Sequence, residues 1–120
     1  FSYYYRDCLA ELGEFLAKQH YTAVVTGNGV VARDVVRKCR EQNIVIPDEL
    51  SVVSFDDLSI VKMLDIALTT VTQHSEAIGA RAVHLLVDQI KNRSGALRYY
   101  TQHYYPTQLI KRNSCKKLMK

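Results

Sequence analysis

Apolar positions recur along the chain with two different periods, and the switches between them mark out the elements. Over residues 4–19, Tyr5, Cys8, Leu9, Leu12, Phe15 and Leu16 fall at helical spacing while Glu11, Glu14 and Lys18 lie elsewhere, which predicts an amphipathic helix slightly weakened by Gly13. Thr22-Ala23-Val24-Val25-Thr26 reads as a short strand, and Gly27-Asn28-Gly29 turns the chain. From Val30 to Gln42 the stripe Val31, Ala32, Val35, Val36 and Cys39 opposes Arg33, Arg37 and Arg40, a second helix that Asn43 stops. Pro47 and Asp48 set a turn, Ser51 to Phe55 is a β-branched and aromatic run suited to a buried strand, and Asp56-Asp57 breaks it. Strand, four-turn helix and strand make one βαβ unit with a right-handed crossover, so a parallel sheet is expected.

Beyond this unit the pattern is less decisive. Leu58 to Asp65 can be a loop or a short helix, and Leu68 to Thr72 is a third β-rich segment whose place in the sheet the pattern leaves open. Ser75 is read as the N-cap of a long helix to about Asn92, carrying Ile78, Ala82, Val83, Leu85, Leu86, Val87 and Ile90, with Gly95 as its stop. Those apolar residues surround more of the helix than a single-sided stripe requires, so it is expected to need a partner. Tyr99 to Tyr105 and Gln108 to Ile110 can each be a strand.

Composition sets bounds on function. The 120 residues, 48% apolar and 23% charged, describe one domain or a piece of one with a modest core. The net charge of +4 is dispersed except for Lys111, Arg112, Lys116, Lys117 and Lys120, read as a solvated tail rather than a nucleic-acid surface. Cys8, Cys39 and Cys115 have no disulfide-framework or zinc spacing, which fits a reducing, cytoplasmic setting. Neither a membrane span nor a signal peptide is visible, and the start at Phe1 hints at an excised fragment.

Candidate chemistry concentrates at strand ends, where open α/β sheets bind ligands. Gly27-Asn28-Gly29-Val30-Val31-Ala32 satisfies the dinucleotide pattern G-x-G-x-x-[GA], with Asp56 placed as a ribose-binding acid would be, although paired glycines in such turns are common for conformational reasons. Asp56 and Asp57, as successive residues, are expected to point to opposite faces, so only one enters a crevice, and no second group converges for acid/base work. His20, His74, His84 and His103 lack ligand spacing, so no metal is expected, and no serine sits in a nucleophile elbow. The terminal tyrosines are read as core or interface, and Arg33, Arg37 and Arg40 as a solvated or subunit face with an Asp34 to Lys38 pair nearby.

Four segments in order carry a resemblance: Thr22-Ala23-Val24-Val25 with Asn28; Ile46-Pro47-Asp48-Glu49-Leu50-Ser51-Val52-Val53-Ser54-Phe55-Asp56-Asp57; Leu68-Thr69-Thr70-Val71-x-Gln73; and Leu109-Ile110-Lys111-Arg112-Asn113-Ser114. Together they resemble the effector-binding domain of the LacI/GalR repressor family, departing from it at Gly29, Ser54 and Ile66-Ala67. The resemblance implies an α/β, parallel-sheet, three-layer sandwich of the type I periplasmic-binding-protein-like kind, of which residues 1–120 form mainly the C-terminal subdomain. It implies that residues 74–98 pack with a first subdomain, and that a DNA-binding head lies outside this chain. It further implies effector contacts at Asn28, Asp56 and Gln73, and a homodimer face at Arg33, Val36, Arg37, Ile60, Val61 and Met63. The expected function is non-enzymatic: sensing a sugar-like effector, without cofactor, in a cytoplasmic repressor that binds operator DNA. Two rivals are a fragment of a dinucleotide-dependent enzyme and an exported solute-binding protein.

Overall fold

The computed structural model describes residues 11–18, 21–57, 61, 64–91 and 102–118. After a helix over 11–17 (α1) come β1 (Ala23–Thr26), α2 (Gly29–Glu41), β2 (Ser51–Phe55), β3 (Thr69–Thr72), α3 (Ser75–Lys91) and β4 (Gln108–Ile110). The four strands form one sheet in the order β1-β2-β3-β4. The first three are parallel as expected, but β4 returns antiparallel along β3, so the sheet is mixed rather than wholly parallel. An antiparallel strand at the edge of a parallel sheet is an ordinary solution for a returning chain.

The register explains the core. Thr26 pairs with Ser54 and Ser54 with Thr70, while Val24 pairs with Val52, so Val24, Thr26, Val52, Ser54 and Thr70 share one face with Leu68. α2 packs on that face. Ala32, Val35, Val36 and Cys39 from the predicted stripe join Leu16, Leu50, Val52, Val61 and Leu68 in a single buried cluster. On the opposite face Val25, Phe55 and Leu109 are exposed, Val25 by 75%. Among the described residues the sandwich is therefore a sheet with one covering layer.

The ends of α2 are sealed by local chemistry. Asn28 Oδ1 accepts from the Val30 and Val31 N–H groups, both at 3.0 Å, satisfying two donors that a helix start leaves open. At the other end Asn43 adopts φ 57, Ile44 N–H donates to Cys39 O at 2.8 Å and Asn43 N–H to Arg40 O at 3.2 Å. This is the paired closure of a Schellman motif, with Asn43 taking the left-handed position. Glu49 closes the next turn: its Oε2 accepts from Val45 N–H at 2.7 Å.

Beyond β4 the chain threads back between β2 and β3 where they begin to diverge. Ser114, fully buried, donates to Val52 O at 2.5 Å and accepts from Thr69 N–H at 2.8 Å, while its own carbonyl accepts from Val52 N–H. The basic tail is thus tied down at its start rather than wholly solvated. α3 behaves differently: none of its residues is buried, and Ile78, Val83, Leu86, Val87 and Ile90 all face outward. Its first backbone bond runs from Ile78 N–H to His74 O, so His74 at φ 54, not Ser75, holds the cap position, because the chain leaves β3 by a left-handed turn. The expected ends of this helix near Asn92 and Gly95, the first part of the 4–19 helix, Cys8 and Tyr99 to Tyr100 lie outside the described residues.

Two outcomes are expected. Ser114→Ala leaves a buried acceptor and a buried donor without their partner and should cost about 2 kcal/mol in chemical denaturation. Burial pushes the Cys39 thiol up to about 11, from 9.0, so Cys115 should be alkylated well before Cys39 at pH 8 when followed by mass spectrometry. The same shift works in one direction on stability. The folded state keeps the Cys39 proton longer than the unfolded chain, so this contribution is intact below pH 9 and is lost as pH rises toward 11.

Candidate functional site

The parallel register lines up three strand ends. Because Thr26 is level with Ser54 and Phe55 with Val71, Asn28 just past β1, Asp56 just past β2 and Gln73 just past β3 lie along one edge of the sheet. Two of them touch: Gln73 Nε2 donates to Asp56 Oδ1 at 2.6 Å. Asp56 stands at φ 68, in the left-handed region that Asp tolerates better than most residues, and its N–H donates to Val71 O at 2.8 Å. Asn28 is engaged through its oxygen as the cap of α2, which leaves its amide nitrogen as the group turned to other work.

Asp57 does point away from Asp56, and it is held by a cluster the sequence reading did not anticipate. Arg112 Nη1 and Nη2 donate to Asp57 Oδ1 and Oδ2 at 2.8 and 3.0 Å. Nη1 also donates to Leu68 O at 2.6 Å, and Thr70 Oγ1 donates to Asp57 Oδ1 at 3.0 Å. Arg112 belongs to the basic run expected to be a solvated tail; it is instead three-quarters buried at its side chain, opposite a carboxylate only 10% exposed. A signal existed in the alternation of β4, since Ile110 and Arg112 share a parity and a charge at a core-facing position must find a partner.

The dinucleotide pattern does not survive the geometry. The N–H groups of Val30 and Val31, which would have to receive a pyrophosphate at this helix start, are already taken by Asn28 Oδ1. The expected subunit face also changes. Val36 and Val61 are 7% and 1% exposed and belong to the core, so neither offers an apolar anchor to a second copy, while Ile60 and Met63 lie outside the described residues. Arg33 and Arg37 remain at the surface of α2, but they converge on Asp34, whose carboxylate is almost wholly buried, in place of the expected Asp34 to Lys38 pair. Lys38 bonds Glu41 instead at 2.6 Å, and this contact holds the Glu41 carboxyl below its ordinary range. Among the described residues no cluster of three or more His, Cys, Asp or Glu could hold a metal ion, and no helix is long and apolar enough to cross a membrane.

Comparison with known proteins bears on this edge. A family model described as a periplasmic binding protein-like domain matches residues 3–115. The transcriptional repressor PurR of Erwinia tasmaniensis is 33% identical over 97 residues, covering 81% of this chain but 28% of the relative. The arabinose metabolism transcriptional repressor of Geobacillus stearothermophilus is 31% identical over 108 residues, 88% of this chain and 29% of the relative. The chain thus spans less than a third of the length of these relatives. A LacI family regulator from Lactobacillus casei, solved with bound sucrose, superposes with a TM-score of 0.70 at 28% identity over 88% of this chain and 37% of its own. A LacI family regulator from Enterococcus faecium, solved with bound ribose, gives 0.79 at 23% identity over 88% of this chain and 38% of its own, a likeness of fold. The matched span, running from α1 through the Ser114 wedge, takes in the whole strand-end edge, and the chain belongs to the periplasmic binding protein-like family in its LacI/GalR effector-binding form.

Proposed function

We propose that this chain is the C-terminal part of the ligand-sensing domain of a cytoplasmic, non-enzymatic transcriptional repressor, and that Asn28, Asp56 and Gln73 hydrogen-bond a small polyhydroxylated effector. The observation that carries the reading is the shared edge itself, with Asp56 and Gln73 in contact at 2.6 Å and Asn28 just past the end of the neighbouring strand. Carboxylate and amide groups fixed at strand ends can engage several hydroxyls of one sugar and reject analogues that lack them. Support also comes from the sucrose-bound and ribose-bound regulators of similar fold. Signalling then follows linkage: the effector favours one arrangement of two subdomains, and operator affinity in a head outside this chain changes by the same coupling.

The uncovered surfaces fit a chain completed by more protein. α3 exposes Leu86 by 57% and Ile90 by 57%, which in the longer protein is taken up by packing into the first subdomain. Dimerisation is proposed through the α2 surface that carries Arg33 and Arg37. A two-fold pairing there would bring guanidinium groups of both copies together, so each must bring its own counter-charge, and Asp34 supplies it here.

Calorimetry on the full-length protein with a panel of ribose, glucose, sucrose and arabinose tests the effector reading. Asp56→Ala should weaken the sugar that binds by about 1.5–3 kcal/mol without changing the fold, and unchanged affinity would remove Asp56 from the site. Leu86→Lys in the full-length protein should lower stability by about 2 kcal/mol or more in thermal unfolding, the contribution of one buried leucine. An unchanged melting temperature would mean that α3 stays in water.

A further inference from the structure

The Asp57 and Arg112 cluster contributes no side chain to the strand-end edge, yet it controls the chain direction there. Asp56 is held at φ 68 between two tethers. On its N-terminal side the Asp56 N–H is fixed to Val71 O at 2.8 Å; on its C-terminal side the next residue is anchored through both carboxylate oxygens to one guanidinium. A left-handed conformation is costly for an L residue and persists only where its surroundings over-determine it. We propose that Arg112, acting through Asp57, is a positioning residue that keeps the Asp56 carboxylate aimed along the edge and thereby sets effector affinity. This inference rests on the effector reading above.

The anchor has the chemistry to do this. Its two charges are largely withdrawn from water, with side-chain exposures of 24% and 10%, and meet as a fork on a fork, which fixes orientation as well as distance. Arg112 is itself immobilised. Its backbone N–H donates to Thr69 Oγ1 at 3.0 Å, and Nη1 bonds the Leu68 carbonyl, so the guanidinium reports the position of β3 and β4 to the loop after β2. If the fork is released, Asp56 can relax toward extended backbone. Successive residues of an extended chain face opposite sides, so the carboxylate would swing off Gln73 and out of the edge.

The test uses the full-length protein and two variants, Arg112→Lys, which keeps the charge and loses the fork, and the charge-neutral pair Asp57→Asn with Arg112→Gln, which leaves no buried charge unpaired and so guards against simple misfolding. Crystal structures of both are expected to show Asp56 out of the left-handed region and its bond to Gln73 broken. Asp56 unchanged in both would overturn the proposal. In the second arm, calorimetry uses whichever of ribose, glucose, sucrose and arabinose binds the wild type. Arg112→Lys should weaken it about tenfold, yet produce no further loss in an Asp56→Ala background, because the two residues act through one carboxylate. Val35→Ala, a core change in α2 that removes no hydrogen bond of the cluster, should lower the melting temperature while leaving affinity unaltered. An additive loss in the double variant, or an equal loss in Val35→Ala, would reduce Arg112 to a structural role. Should none of the four sugars bind, the sugar reading falls, while the crystallographic arm still decides whether Arg112 positions Asp56.

Discussion

The proposed strand-end site depends on β2 lying between two parallel neighbours in unstaggered register. With Thr26, Ser54 and Thr70 level across three strands, the residues that follow them must emerge side by side. A slip of one residue would send the same side chains to the opposite face, because the strand repeat is two. The register is defended at both ends of β2: Ser114 clamps it to β3 where the strands begin, and the Asp56 N–H clamps it to Val71 where they end. Buried β-branched and aliphatic residues against α2 supply the driving force, but these few polar bonds select the alignment.

Much of this was legible beforehand, and for identifiable reasons. The α2 stripe was largely readable, since Ala32, Val35, Val36 and Cys39 repeat at helical spacing and proved buried, while Val31, read into the same stripe, is exposed in the first turn of the helix. Asn43 as a stop was readable because so few residues accept its left-handed geometry. Asp56 was readable as a strand-end residue from the pattern itself, whereas Asn28 and Gln73 were set beside it only by the family resemblance. What escaped was long-range pairing. Nothing local to Arg112 says that it will meet Asp57, 55 residues earlier, and a basic neighbourhood disguised it as tail. Val36 and Val61 were assigned outward for a related reason, since an apolar residue on a helix can serve a core or an interface and periodicity alone does not separate them.

The same chemistry separates the surfaces that are finished from those that are not. The α2 face is closed, capped and hydrogen-bonded, whereas Val25 and Leu109 on the other face of the sheet and the whole of α3 present aliphatic side chains to water. An antiparallel β4 and a left-handed exit at His74 explain why α3 leaves the sheet instead of lying back on it. The described residues thus carry their own core and leave this apolar surface uncovered.

The cap at the start of α2 has a consequence for how the edge can read a molecule. With Asn28 Oδ1 committed to Val30 and Val31, the β1 end of the edge offers a hydrogen to give and no lone pair to receive one. At the β2 and β3 end the balance reverses: Gln73 spends an N–H on Asp56, and what stays outward is rich in oxygen. The edge is therefore polarised from one strand to the next. A hydroxyl can rotate to satisfy either end, and Gln73 keeps a second amide N–H beside the side-chain oxygens, so under the proposed effector reading it is the donor-only Asn28 side chain beside β1 that discriminates by the sense of its hydrogen bond.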